Sequence, residues 1–150
     1  MVRVIHSLSW NELSPMQIYD ILRLRVDVFV VEQACPYPEL DGRDVEPGAV
    51  HVFAEDDAVV RGYLRILDSA DQVRRIGRVC VRADARGDGI AGQLMACAID
   101  VIGCAPSVLD AQAHLADWYG RFGYEVDGAE FLEDGIPHVP MRRSPMRRRQ

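Results

Sequence analysis

Seven residues, Arg86-Gly87-Asp88-Gly89-Ile90-Ala91-Gly92, join a β-rich segment to an apolar helical stripe. Glycines at such a junction let successive backbone N–H groups turn toward one point with no Cβ in the way. A helix that starts there adds its unpaired N–H groups and a partial positive charge. The natural occupant is a phosphate or diphosphate, and Arg86 offers a fork of donors to the same anion. The pattern is not a Walker loop, because no Gly-Lys-Ser/Thr follows. All 17 basic residues are arginine, so Schiff-base chemistry through a lysine of this chain is excluded.

The four cysteines, Cys35, Cys80, Cys97 and Cys104, form no CxxC and pair with no His at zinc-finger spacing. A metal or redox site is therefore not expected. Cys80 and Cys97 sit in apolar patterns and read as small core side chains. Unpatterned cysteines without an export signal point to a cytoplasmic protein. At 150 residues, 49% hydrophobic and 27% charged, the chain fits one globular domain. No apolar run reaches the ~18–20 residues of a membrane span. The formal charge is −6, and without the five arginines of the tail RRSPMRRRQ the preceding 141 residues stand at −11. That acidic body argues against nucleic acid as a partner and favours cationic ones such as amines. The tail reads as a solvated terminus.

The elements that must position the glycine turn can be read by period. Val2–Leu8 is a short strand, and Ser14-Pro15 starts a helix expected to run to Phe29. The stretch VVEQACPYPELDGRDVEPG holds three prolines, two glycines and five acids, and reads as a long, functional loop. Its acidic part, Glu39–Glu46, suggests a cationic acceptor or a charged surface. His51–Glu55 and Val59–Leu67 form a hairpin, and Arg74–Arg82 adds a central strand. A helix follows from Ile90 to a stop at Gly103. Beyond it lie a strand at Ser107–Ala111 and a helix at His114–Phe122, with Leu115, Trp118 and Phe122 on its buried face and Tyr119 off that stripe. Tyr124–Val126 and His138–Met141 end the order as short strands. The sum is an α/β (α+β) domain, a mixed central sheet with helices on both faces.

The strand Val79-Cys80-Val81, followed by Arg86, Gly89 and Ala91, resembles the Arg/Gln-x-x-Gly-x-Gly/Ala motif of the GCN5-related N-acetyltransferases (GNAT). Trp118-Tyr119-Gly120-Arg121-Phe122-Gly123-Tyr124 resembles that family's second mark, at the usual separation. The stretches Val28–Asp44, Leu109–Tyr124 and Phe131–Met141 are similar to its ElaA-like branch. The resemblance covers residues 1–142, with 143–150 as a basic tail, and implies a V-shaped splay between two central parallel strands.

It also implies acetyl-CoA as donor and a small-molecule or protein amine as acceptor. The backbone of Val79 and Val81 would hold the pantetheine like an added strand. The amides of Arg86, Gly87, Asp88, Gly89, Ile90 and Ala91 would cradle the diphosphate. Gln112 stands where many family members carry an Asn that contacts the cofactor. Tyr119 corresponds to the family's general acid, a phenol that protonates the departing thiolate. Cys80 lies between the two valines, so alternation turns it to the other face and into the core. The carboxylate some members carry early in the fourth strand is missing from Arg74-Arg75-Ile76-Gly77. Glu32 is the first candidate base, followed by Asp41 and Asp44, with His51 and His114 behind them; His138 reads as structural. A homodimer is compatible with this reading. The alternative is a non-catalytic module that binds CoA or a protein on the same fold.

Overall fold

The computed structural model describes residues 2–145. Strands β1 (Arg3–Leu8), β2 (Val50–Asp56), β3 (Val59–Asp68) and β4 (Arg74–Val81) form an antiparallel meander. Helix α1 (Pro15–Val26) lies between β1 and β2 in the chain, and α2 (Ile90–Ile102) follows β4. Strand β5 (Ser107–Gln112) runs parallel to β4. After α3 (Ala116–Gly120) come β6 (Glu125–Val126), β7 (Phe131–Glu133) and β8 (Ile136–Arg143). The eight strands make one sheet in the order β1-β2-β3-β4-β5-β8-β6, with β7 paired to β8 beside that path.

Alternation along β3 sorts the core into two layers. Leu64 and Ile66 pack with Ile90, Leu94, Met95 and Ala98 of α2 on one face. Tyr63 packs with Ile21 and Leu24 of α1 on the other, together with Phe53 and Cys80. Cys80 is thus in the core, as its parity predicts. Gly62 sits where α2 crosses β3, and a Cβ there would stand 2.6 Å from Ile90 Cγ2. Only glycine lets the helix seat that close.

Helix α1 begins as the Ser14-Pro15 signal predicts. Gln17 N–H donates to Ser14 Oγ at 3.1 Å, and Ser14 N–H donates to Gln17 Oε1 at 2.9 Å. Its expected end at Phe29 is not observed. The chain continues as π-helical turns over Asp27–Glu32, closed by Cys35 N–H on Val30 O at 3.0 Å. The second departure from expectation is the helix at His114–Phe122, which is instead a 3-10 turn over Ala113–Leu115 leading into the five-residue α3. At the other end, Arg143 belongs to β8 and pairs with Ser107, so the domain runs past the expected boundary at 142. The rest of the expected tail, residues 146–150, lies outside the described residues.

The splay between the central strands is present. β4 and β5 pair in parallel only at Arg74/Ser107 and Arg75/Val108, and then separate. This parting positions everything below.

Candidate active site

Where β4 leaves β5, β4 also carries a bulge. Tyr63 faces Cys80 and Arg65 faces Gly77, so Leu64 alone opposes Arg78 and Val79. Arg78 takes a φ of +56° to make the extra step. Bulges of this kind re-aim the backbone beside functional sites. Further on, Arg82 N–H donates to Arg61 O at 2.8 Å. Alternation of ladder bonds then turns the N–H and C=O of Val81 away from β3, toward the gap.

A cavity of about 330 Å³ occupies the gap and the α1 side of the sheet. Val79, Gln112 and Tyr119 line it together, with Gly77, Asp110 and His138. Three of the expected site residues are therefore brought to one place. Tyr119 enters from the α2 side, where it belongs to the core with Leu109 and Ala111, and only 7% of it is exposed. This corrects the expectation that Tyr119 falls off the buried stripe: Leu115 is the exposed residue and Trp118 is only partly buried. The cause is the shortness of α3, which leaves no regular helical wheel for the apolar period to mark. Burial pushes the Tyr119 phenol up to about 12, with the neighbouring Tyr124 adding to it. The hydroxyl therefore keeps its proton throughout the neutral range.

Beyond Val81 the chain makes a 3-10 turn over Ala83–Ala85 and enters the glycine turn. Gly87 and Gly89 take φ of +91° and +77°, and no atom lies within 4 Å of a Cβ built on either. Gly89 is the N-cap of α2, and no side chain caps the helix. The first N–H groups of α2 thus open onto free space at the end of β4. That arrangement fits a diphosphate.

Arg86 and Glu32 meet each other. Arg86 Nη1 and Nη2 donate to the Glu32 carboxylate at 2.5 Å and 2.6 Å, and Arg86 Nε donates to Val81 O at 3.1 Å. The hydrogen bonds from Arg86 hold the Glu32 carboxyl below its ordinary range. Glu32 lines a separate cavity with Asp20, Leu24 and Arg82 and is not brought to Tyr119. The π-helical turns explain this placement, since they carry Glu32 toward the glycine turn.

The acidic loop is tied down by arginines, and of its acids Asp41 reaches the lining of the central cavity. Arg25 of α1, with 0% exposure, donates from Nε to Glu39 at 3.1 Å and from Nη1 to Asp44 at 2.6 Å. Arg65 of β3 bonds Asp41 at 2.8 Å and Asp44 at 3.0 Å. Arg78 at the bulge forms an ion pair with Glu39 at 2.7 Å, and Arg43 holds Glu46 at 2.9 Å. The acids expected to attract a cationic acceptor are therefore matched internally. Asp41 and Asp44 are consequently poor proton acceptors. Burial works to raise both, but Arg65 with the Arg43 amide outweighs it at Asp41, and Arg25 with Arg65 outweighs it at Asp44.

A pH dependence of stability follows. A carboxylate whose folded-state pKa is lowered contributes stability that is complete above its unfolded value near 4 and is lost as pH falls through the folded value. The urea midpoint is expected to hold steady from pH 7 to about pH 5 and to drop below it. Asp44→Asn should flatten that drop.

The remaining histidines divide clearly. His51 is buried, with Nε2 on Asp44 O at 3.0 Å and Nδ1 on the Tyr63 hydroxyl at 2.6 Å, so both nitrogens are engaged in the core. His114 is exposed. His138, read from its strand as structural, lines the central cavity. Arg25 is a second residue the sequence reading passed over; its only signal is a charge inside an apolar helical period. Among the described residues no three His, Cys, Asp or Glu side chains converge as a metal cage requires. No described helix is long and apolar enough to cross a membrane.

Residues 17–145 match the acetyltransferase (GNAT) domain. A UPF0039 protein of Mycobacterium tuberculosis (strain H37Rv) is 45% identical over 147 residues, covering 95% of this chain and 94% of that protein. Protein ElaA of Escherichia coli is 40% identical over 144 residues, covering 91% of this chain and 93% of its own. The crystal structure of Escherichia coli ElaA superposes with a TM-score of 0.89 over 95% of this chain and 100% of that one, at 37% identity. An acyl-CoA N-acyltransferase from Pseudomonas aeruginosa superposes equally well, at 0.89 and 39% identity, over 94% of this chain and 99% of that one.

Proposed function

The chain belongs to the acetyltransferase (GNAT) family, and on that premise we propose that it transfers an acetyl group from acetyl-CoA to a primary amine of a small molecule or protein. One observation carries the proposal. β4 and β5 part after two paired positions, and a protonated, buried phenol stands in the cavity they leave. An acyl thioester needs an extended slot, an anion cradle at its far end and a proton donor at its sulfur.

Acetyl-CoA supplies an activated acetyl group. The chain's residues supply the rest. Val81 presents its N–H toward the gap, while its carbonyl also accepts from Arg86. Gly87, Asp88, Gly89, Ile90 and Ala91 offer amides to the diphosphate at the opening of α2. The Arg86 fork takes part in that cradle to the extent that Glu32 releases it, and Glu32 positions Arg86 meanwhile. Backbone N–H groups at the β4 bulge, near Val79, would receive the oxyanion that forms during attack. Gln112 lines the slot, and Tyr119 donates to the departing sulfur. Holding two reactants in one gap supplies much of the acceleration, with no covalent acyl-enzyme.

Free-thiol release from acetyl-CoA in the presence of primary amines tests the reaction. Tight CoA binding with no turnover on any amine would return the chain to the binding-module alternative. Gly89→Asp tests the cradle. Its carboxylate stands where the diphosphate is placed, and CoA affinity should fall about a hundredfold, near 2.7 kcal/mol. The fold should survive, because a Cβ at Gly89 meets no atom within 4 Å and the left-handed φ of +77° costs a non-glycine residue only about 1–2 kcal/mol. Calorimetric titration reads the outcome; unchanged affinity in a folded variant would remove the turn from cofactor binding.

A further inference from the structure

Most side chains able to take a proton from the incoming amine are committed elsewhere, and Glu133 and Asp134 stand exposed at the β7–β8 turn. Glu32 is paired with Arg86 outside the cavity, Asp41 with Arg65, and Asp110 with Arg75 at 3.2 Å. Burial raises the Cys35 thiol, and His51 has both nitrogens bonded. His138 is different. In the sheet it stands opposite Gln112 on β5 and opposite Phe131 on β7. Directly paired residues of antiparallel strands put their side chains on the same face. β5 alternates, and Leu109 and Ala111 belong to the α2-side core. Gln112 and His138 therefore face the α1 side, opposite to Tyr119's point of entry.

The ring's orientation is set by three contacts. His138 Nδ1 lies 2.7 Å from Ile136 O. A carbonyl only accepts, so Nδ1 carries the hydrogen and Nε2 holds a lone pair. The ring stacks on Phe131, with centroids 5.8 Å apart and planes at 24°. Nε2 makes no hydrogen bond among the described residues, and the Glu133 carboxylate stands 3.8 Å away.

We propose that His138 is the catalytic base, its Nε2 taking the proton from the acceptor amine on the α1 face of the gap while Tyr119 serves the leaving sulfur from the α2 face. This rests on the acetyl-transfer reading. The ammonium of the acceptor gives one proton to Nε2, and its nitrogen lone pair forms the C–N bond with the thioester carbon. The C–S bond breaks, the sulfur receives the Tyr119 proton, and the second proton lost by the nitrogen restores the phenol. His138 returns its proton to water, so one proton is released per acetyl group transferred. Glu133 steadies the imidazolium while it exists, as an acid beside a base does. The charged groups sharing the cavity with His138 are Glu133 and Asp134 of the β7–β8 hairpin, Asp110 with Arg75, Arg65 and Arg78 with Asp41, and Arg43. An imidazole can take a proton on one nitrogen while the other stays bonded to a carbonyl, so it suits this exchange.

The test measures thiol release from acetyl-CoA with n-butylamine, spermidine, free lysine and a peptide with a free N-terminus, across about pH 5.5–9, a range that brackets neutrality. His138→Gln and His138→Asn keep amides near Nε2 and Nδ1 respectively, and neither takes up a proton. Both are expected to lose about a hundredfold in kcat at neutral pH, with CoA affinity retained and the acidic limb of kcat/KM abolished. Wild-type rate with the same limb in folded variants would overturn the base while leaving acetyl transfer standing. No thiol release by the wild-type protein with any of these amines, with CoA bound, would overturn the reaction and the base together. Long-range proton–nitrogen NMR of the wild-type imidazoles gives a readout free of turnover and of variant folding. A neutral His138 in the Nδ1–H tautomer supports the proposal, and the Nε2–H tautomer would overturn it.

Discussion

Tyr119→Phe is expected to slow acetyl transfer about a thousandfold, inside the range of ~10²–10⁴ that general acid–base groups supply. The substitution removes one oxygen and leaves the ring, so its edge contact with Trp118 at 4.9 Å remains. Stability should therefore change by less than about 1 kcal/mol. CoA affinity should be unaffected, because the hydroxyl gains its value only as charge develops on the sulfur. An interaction made only in the transition state lowers kcat and kcat/KM by the same factor. Burial has pushed this phenol up to about 12, so in the native enzyme no alkaline loss of rate through Tyr119 is expected below about pH 10. Stopped-flow thiol detection under saturating acetyl-CoA reads kcat directly. Equal turnover by Tyr119→Phe would take the residue out of the mechanism.

The resemblance pointed to Tyr119, but local pattern misjudged its setting. A helical wheel drawn over His114–Phe122 assumes nine helical residues, whereas the chain spends three in a 3-10 turn and five in α3. The wheel then points the wrong aromatic inward. The glycine turn was legible for the opposite reason. Positive φ at Gly87 and Gly89 is a local demand, and residue type alone reports it. The same holds for the Ser14-Pro15 cap and for the β2–β3 hairpin, which needs only alternation and a short turn.

What stayed hidden depends on contacts far apart in the chain. The π-helical turns over Asp27–Glu32 insert an extra residue that a 3.6-residue period cannot register, and they decide that Glu32 meets Arg86, 54 residues away. The pairing of β5 with β8 puts His138 opposite Gln112, and no property of either residue announces it. The Asp134-Gly135 turn was a hairpin signal in plain sight, with φ of +50° and +78° in the structure, yet β7 is three residues long and too short to show alternation. Most misleading was the acidic loop. Charge is ordinarily a surface property, so Glu39–Glu46 read as the mark of a cationic acceptor or as a charged surface, and apart from Arg43 the arginines that match them lie on α1, β3 and β4.

Arg25→Ala should expose how much of the fold that match sustains. The guanidinium is fully buried, bonds Glu39 and Asp44 with three nitrogens, and lies 5.5 Å from the centroid of the Tyr63 ring. Its deletion leaves Glu39 and Asp44 in a dry interior with one cation fewer. Breaking a buried pair from one side costs about 3–5 kcal/mol, because the stranded charge has lost its partner without regaining water. Against a total stability of about 5–15 kcal/mol this is a large fraction, and at about 2–4 °C per kcal/mol the thermal midpoint should fall by roughly 6–20 °C. Arg25→Lys should recover little, since one ammonium cannot reach both the Glu39 and Asp44 carboxylates in the geometry of a planar fork. Joining Arg25→Met to Glu39→Gln and Asp44→Asn removes the stranded charges as well, and should return much of the loss. That recovery separates charge stranding from the mere loss of packed volume, which the triple variant shares with Arg25→Met alone. Calorimetric unfolding of the four variants and the wild type decides it: an Arg25→Ala midpoint within a degree or two of wild type would mean that the network is incidental to the fold.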